Sequence, residues 1–254
     1  MPDRLIPYDP LGTLKPLGPE LWIADGPEVA MRYGPGSLPF TTRMTVIRLG
    51  RRLILHSPVE PAPGLLAEVA ALGDPAWIVA PNRLHWVHLA AWQAAFPQAE
   101  TLAAPGVETA QEKGGFRIGR ILGAAPGAWA GEVELALVPG SFMTEAVLFH
   151  HPSATAVLTD LIENFEPERV RSPLLRLLMR AGGVVHPHGS TPRDVRLTFL
   201  PKRRQARPVA EAMLAWPVER IVISHGRIIE EDAPARLARA LAWTGARPLH
   251  PAPR

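Results

Sequence analysis

Cysteine is absent from the 254 residues, which excludes disulfides, thiolate metal ligands and a cysteine nucleophile together. Any metal would have to be held by nitrogen and oxygen, which suits zinc, iron or manganese better than copper(I) or an iron–sulfur cluster. Lysine is confined to Lys15, Lys113 and Lys202, so arginine carries nearly all of the positive charge behind the net +3. With abundant alanine and 29 prolines, this reads as compositional bias and not as a nucleic-acid footprint. No uninterrupted apolar run reaches the roughly 18 residues of a membrane span. No apolar h-region follows Met1-Pro2-Asp3-Arg4, so no signal peptide is expected and a soluble cytoplasmic protein is the default. Other enzyme signatures are missing as well. There is no Walker A loop, no Gly-x-Ser-x-Gly elbow and no Gly-x-Gly-x-x-Gly after a strand, and Gly34-Pro35-Gly36 is too proline-bound to cradle phosphate.

What is present fits a folded domain: 47% hydrophobic and 20% charged residues, in a chain long enough to bury a full core. Leu21-Trp22-Ile23-Ala24 reads as a short strand ended by the turn dipeptide Asp25-Gly26, and Gly34 to Pro39 as loop. Thr42 to Leu49 and Leu53 to His56 form a hairpin about Gly50-Arg51-Arg52. Pro63 to Leu72 has helical spacing, with Gly73 to cap it. The apolar strand Ala76 to Ala80 runs into Pro81-Asn82. A helix is expected from there to Phe96-Pro97, with Asn82 as N-cap and His85 and His88 on one face. Further strands are expected at Leu102–Ala104, Glu132–Val138, Glu145–Phe149, Thr155–Thr159 and Arg220–Ser224. Short helices are expected at Val107–Glu112, Pro208–Trp216 and Ala233–Trp243. This alternation favours a layered α/β or α+β domain over a helical bundle.

Polar side chains gather just past the ends of these strands: His56, the pair His85 and His88, Asp160, and His225. Rigid strands deliver loop side chains to a common rim, which is where layered α/β proteins build sites. Imidazole and carboxylate are also the donors a divalent metal needs when thiolate is missing.

The order of these pieces resembles the metallo-β-lactamase superfold. In that family a His-x-His-x-Asp-His motif follows a strand, a Pro-Gly-His turn comes later, then a strand ending in Gly-Asp and a last one ending in Gly-His. Here Arg83-Leu84-His85-Trp86-Val87-His88 occupies the first motif, with Arg83 and Val87 replacing ligands. Pro139-Gly140-Ser141 has serine in place of the histidine, while Thr159-Asp160 and Ser224-His225-Gly226 keep theirs. The chain is also similar to an uncharacterised group of that superfold, DUF4336, in Leu14-Lys15-Pro16, Trp22 to Gly26, Pro39 to Met44, His56-Ser57-Pro58, Pro81-Asn82, Phe149-His150, Thr159-Asp160, Asp194-Val195-Arg196 and His225-Gly226.

The resemblance implies a single domain over residues 1–254, a four-layer αββα sandwich with a helical insertion around 163–207. It implies one divalent metal, zinc or iron, at His88, Asp160 and His225, with His85 assisting and His56 offsetting the loss at Ser141. The expected activity is hydrolysis of a small-molecule substrate by metal-activated water, with His85 and Asp160 catalytic. Asn82, Arg83, Arg43 and His150 are the expected substrate contacts. Two rivals stand beside it: a degenerate, metal-free binding or structural protein with Arg83 filling the lost metal position, and an iron-dependent oxidoreductase.

Plainer readings exist for each residue. Asp160 and His225-Gly226 would serve as strand-ending caps, His150 as a turn residue, and Arg43 as an ion-pair partner of Asp25. Pro201 to Arg207 reads as a solvated helix face, not a nucleic-acid patch. Leu174 to Arg180 reads as a lid or a homodimer contact, not a membrane helix.

Overall fold

The computed structural model describes residues 4–33 and 36–247. Its first sheet has seven strands in sequence order: β1 (Lys15–Gly18), β2 (Leu21–Tyr33), β3 (Gly36–Leu49), β4 (Arg52–His56), β5 (Asp74–Ala80), β6 (Glu100–Ala103) and β7 (Arg120–Ile121). The first four pair antiparallel through hairpins. From β4 onward the pairing is parallel. The β4–β5 crossover contains helix α1 (Pro63–Leu72), and α2 (Leu89–Ala95) lies between β5 and β6. A short α3 (Gln111–Gly114) precedes β7.

The second sheet has four strands in the order β11-β10-β9-β8, formed by β8 (Val133–Pro139), β9 (Thr144–His150), β10 (Thr155–Val157) and β11 (Arg220–Val222). Between β10 and β11 stand α4 (Pro173–Gly182), α5 (Arg193–Phe199) and α6 (Arg203–Leu214), and α7 (Ala233–Leu241) follows β11. This is the expected helical insertion. Its last helix starts earlier than expected and carries Pro208 inside it, with Arg203, Arg204 and Arg207 on its solvent side.

Strand alternation explains the layering. Successive side chains of a strand point to opposite faces. On β9, Ala146 and Leu148 join the core shared with the first sheet, while Val147 and Phe149 join the one covered by α6 and α7. Val157 of β10 and Val222 of β11 face the first sheet, and Ala156 and Ile221 face the helices. Helices α1 and α2 cover the far face of the first sheet through Leu65, Val69, Leu89 and Trp92. The result is the four-layer αββα sandwich.

Three local expectations are corrected. Asp25-Gly26 does not end a strand: β2 continues to Tyr33, with a bulge between Gly26 and Val29. Its partner takes in Gly36 to Pro39, read from sequence as loop, whereas residues 34 and 35 lie outside the described ones. A long two-stranded ladder overrides the local turn signals. Gly26 is required by crowding, since a Cβ there would sit 2.5 Å from Thr42 Oγ1 and 2.8 Å from Val59 Cβ. The third correction concerns α2, which opens at Leu89 and not at Asn82. Residues 83–88 are turns.

Candidate metal centre

The strand ends that meet at one rim come from both sheets. After β4 the chain delivers Ser57, after β5 Asn82 and His85, after β10 Asp160, and after β11 His225. His85, Asp160 and His225 each offer a ligand atom within 4.8 Å of the others.

The two imidazoles share a pattern. His225 donates from Nδ1 to the carbonyl of Thr41 at 2.6 Å. A carbonyl can only accept, so the Nε2 lone pair of the neutral ring points inward. His85 Nδ1 stands 2.7 Å from Ser57 Oγ. The two Nε2 atoms are then 3.2 Å apart, His85 Nε2 lies 3.2 Å from Asp160 Oδ2, and His225 Nε2 lies 3.2 Å from Asp160 Oδ1. Tetrahedral ligands at ~2.0–2.1 Å from a zinc ion sit roughly 3.3–3.4 Å from one another. The donors present therefore suit a divalent ion in type and spacing, and their outer nitrogens are anchored on oxygen, as ligating histidines require.

Ser57 owes its position to its backbone. Its φ is +54°, a left-handed conformation uncommon for a non-glycine residue. The main chain turns sharply off β4, and its amide still bonds Val79 O at 3.0 Å.

Asp160 is held from several sides. Asn82, fully buried, donates to Asp160 Oδ2 at 2.6 Å and to Thr159 Oγ1 at 3.0 Å. Its own oxygen accepts the Leu84 amide at 2.8 Å, closing the turn that replaces the expected helix start. Glu145, at the beginning of β9, accepts the amides of Thr159, Asp160 and Leu161 at 2.8, 2.9 and 3.0 Å. Sequence reading passed over Glu145. The signal was there, since it is the lone acid of an otherwise apolar strand.

The electrostatics follow from burial and proximity. Burial alone would raise Asp160, but the charges of His85 and His225 and their hydrogen bonds hold it well below the usual carboxylate range. His225 is raised: burial opposes its charge, and the hydrogen bond to Asp160 with the Asp160 and Glu163 carboxylates outweighs that. Burial, then the Asp160 charge, pushes Glu145 up to about 8. Glu163 is likewise pushed up to about 8, chiefly by burial.

The other expected site residues lie elsewhere. His88 is not part of the three-residue group: it is the N-cap of α2, its Nε2 is buried without a hydrogen-bond partner, and burial lowers its pKa against the pull of Glu60. The three-residue spacing would align it with His85 only on a helix, and that segment is turn. His56 is buried beneath the rim with Nε2 3.4 Å from Ala146 O, and burial drives it down to about 3. Strand alternation brings its neighbour Ser57 to His85 in its place.

His150 sits where β9 pairs with the start of β10, at the end opposite Asp160, bonded to Ser153 Oγ at 2.7 Å. Arg83 turns outward, donating to Phe142 O at 3.0 Å over the Phe142 ring, so its cation does not fill a metal position. Arg43 is buried and fully directed inward. It pairs with Asp25 at 2.8 Å and donates to the carbonyls of Ile223 and Gly226 at 2.7 and 2.8 Å, gripping the turn that carries His225.

No known protein-family profile matches the chain, and no curated protein matches it. Solved structures do. The mono-zinc form of the metallo-β-lactamase FIM-1 from Pseudomonas aeruginosa superposes with a TM-score of 0.58 at 13% identity, over 95% of this chain and 97% of that one. The DIM-1 metallo-β-lactamase exposed to ceftazidime gives 0.57 at 12% identity, over 96% and 99%. The metallo-β-lactamase from Hirschia baltica gives 0.56 at 14% identity, over 91% and 96%. At such identities the likeness speaks for architecture alone. Among the described residues, no helix is long and apolar enough to cross a membrane. The chain has the metallo-β-lactamase fold.

Proposed function

We propose that this protein is a metal-dependent hydrolase that holds one divalent ion, zinc or iron, on His85, Asp160 and His225, and that it groups with DUF4336. The observation that carries the reading is the arrangement of the two imidazoles, with both Nδ1 atoms engaged by oxygen and both Nε2 atoms turned onto one carboxylate. Three protein ligands with an open fourth position is the make-up of a catalytic centre. When bound, such an ion would supply Lewis-acid activation of water as a nucleophile toward an ester, lactone, amide or phosphoester.

The chain's own residues have defined parts. Asp160 stays ionised beside the two imidazoles, and Asn82 fixes the direction of its Oδ2. Thr41 and Ser57 orient the rings.

Metal analysis tests this directly. Wild-type protein loaded with zinc or iron and then desalted should retain about one equivalent, the stoichiometry of a three-ligand site. His85→Ala, Asp160→Asn and His225→Ala should each lose it, and His88→Ala should keep it. Retention of the ion by a His85→Ala, His225→Ala double variant would sink the proposal.

A further inference from the structure

Helix α4 has two unlike faces. Leu175 and Met179 are buried in a cluster with Phe165, Val170 and Leu5. On the opposite side Leu174, Leu177 and Leu178 are 66, 61 and 52% exposed. At 100° per residue these three fall with Ala181 in one arc and Arg180 lies at its edge, about 60° from Leu177, whereas Arg176 is about 100° from the nearest of these leucines and has its Nε buried. From Arg171 to Gly182 every charge is positive: Arg171, Arg176 and Arg180, with no acid among them. An exposed leucine stripe of this kind marks an interaction surface.

Sequence alone favours a lid or dimer contact for this segment, but the exposures and charges favour another occupant. A second copy would bring the same positive segment, with no acid on it to complement these arginines. We infer that the outer face of α4 docks on an anionic lipid bilayer, its leucines entering the boundary between headgroups and acyl chains and Arg180 meeting the headgroups. Apolar residues on one face and arginine at the edge are the make-up of a helix that lies in the interface plane. Helix α4 is also close to the candidate centre. Phe40 packs against its buried cluster and has its ring 5.0 Å from that of His225, so the inner face of the docked helix would look toward the candidate centre.

The experiment is co-sedimentation of the full chain with vesicles of phosphatidylcholine alone and of equimolar phosphatidylcholine and phosphatidylglycerol. Binding is expected to the anionic vesicles only, and to fall as salt is raised. A Leu174→Ser, Leu177→Ser, Leu178→Ser variant should lose at least about tenfold in partitioning. Arg180→Gln should lose about fivefold. The three leucines and Arg180 are exposed on a helix anchored by Leu175 and Met179, and an unchanged thermal melt verifies the fold. The single variant Leu177→Glu repeats the test with minimal change. No binding to anionic vesicles, or equal binding by the leucine variant, overturns the inference. A wild-type dimer in solution that Leu177→Glu converts to monomer does so too, because the occupant would then be a second copy.

Discussion

Ser57 Oγ and His85 Nδ1 stand 2.7 Å apart, and this contact decides which nitrogen of the ring meets Asp160. With Nδ1 engaged, Nε2 is the atom presented to the carboxylate and to His225. Ser57→Ala should therefore weaken zinc affinity by about 10–100-fold, the usual cost of removing a ligand's orienting partner. A competition titration against a chromogenic chelator measures it, and equal affinities would mean that the hydroxyl does not orient the ring.

Glu145 ties three successive amides to one buried carboxylate. Each buried donor left without a partner costs about 1–3 kcal/mol. Glu145→Ala should thus lose several kcal/mol in urea unfolding and loosen Asp160, lowering metal affinity as well. Glu145→Gln, which keeps one acceptor, should fall between.

Arg43 joins Asp25 to the turn that carries His225. Removing one partner of a buried pair costs about 3–5 kcal/mol. Arg43→Met should destabilise the protein by an amount in that range. Metal binding should fall with it, and a double variant with Asp25→Leu should recover part of the stability. A fully stable Arg43→Met protein would contradict the account.

Stability should depend on pH in two opposed ways. Glu163, with its ordinary value of 4.5 pushed up to about 8 by burial, keeps its proton in the folded state where the unfolded chain has lost it. Stability therefore falls as pH rises from about 4.5 to about 8. Glu163→Gln should flatten that limb, leaving the share that Glu145 contributes in the same direction. His56, moved from 6.5 to about 3 by burial, acts on the acid side: the unfolded chain binds the proton first, so stability is lost as pH falls below about 6.5. His56→Asn should soften that limb. Urea midpoints across the pH series check both signs.

Much of the fold was legible because its elements carry local signals. α1 has proline at its first position and Gly73 after its end, and the structure bounds it where those signals do. Asp160 and His225 were legible for a related reason, since each follows a short apolar strand. The roles within the histidine motif were not. Ranking His88 above His85 followed the resemblance, by which Asp160 and His225 complete the set of His88, and placing both rings on one face assumed that Asn82 opened a helix. Asn82 in fact spends its side chain on Asp160 and Thr159, and the backbone that follows makes turns. Ser57 was unreadable as a partner of His85 because nothing local announces a left-handed serine. The length of β2 and β3 was hidden by Gly26 and Pro39, whose usual meaning as breakers gives way when a neighbouring strand supplies the pairing.

The candidate ligands are divided between the two sheets: His85 stands beyond a strand of the first, Asp160 and His225 beyond strands of the second. An ion seated among them would act as a rivet through the sandwich. It would bind the native state and not the unfolded chain, so melting temperature should climb with the logarithm of metal concentration once the site saturates. Occupancy would also report sheet register. A slip of one residue turns the alternate face inward, and a sandwich assembled that way would bring no three donors together.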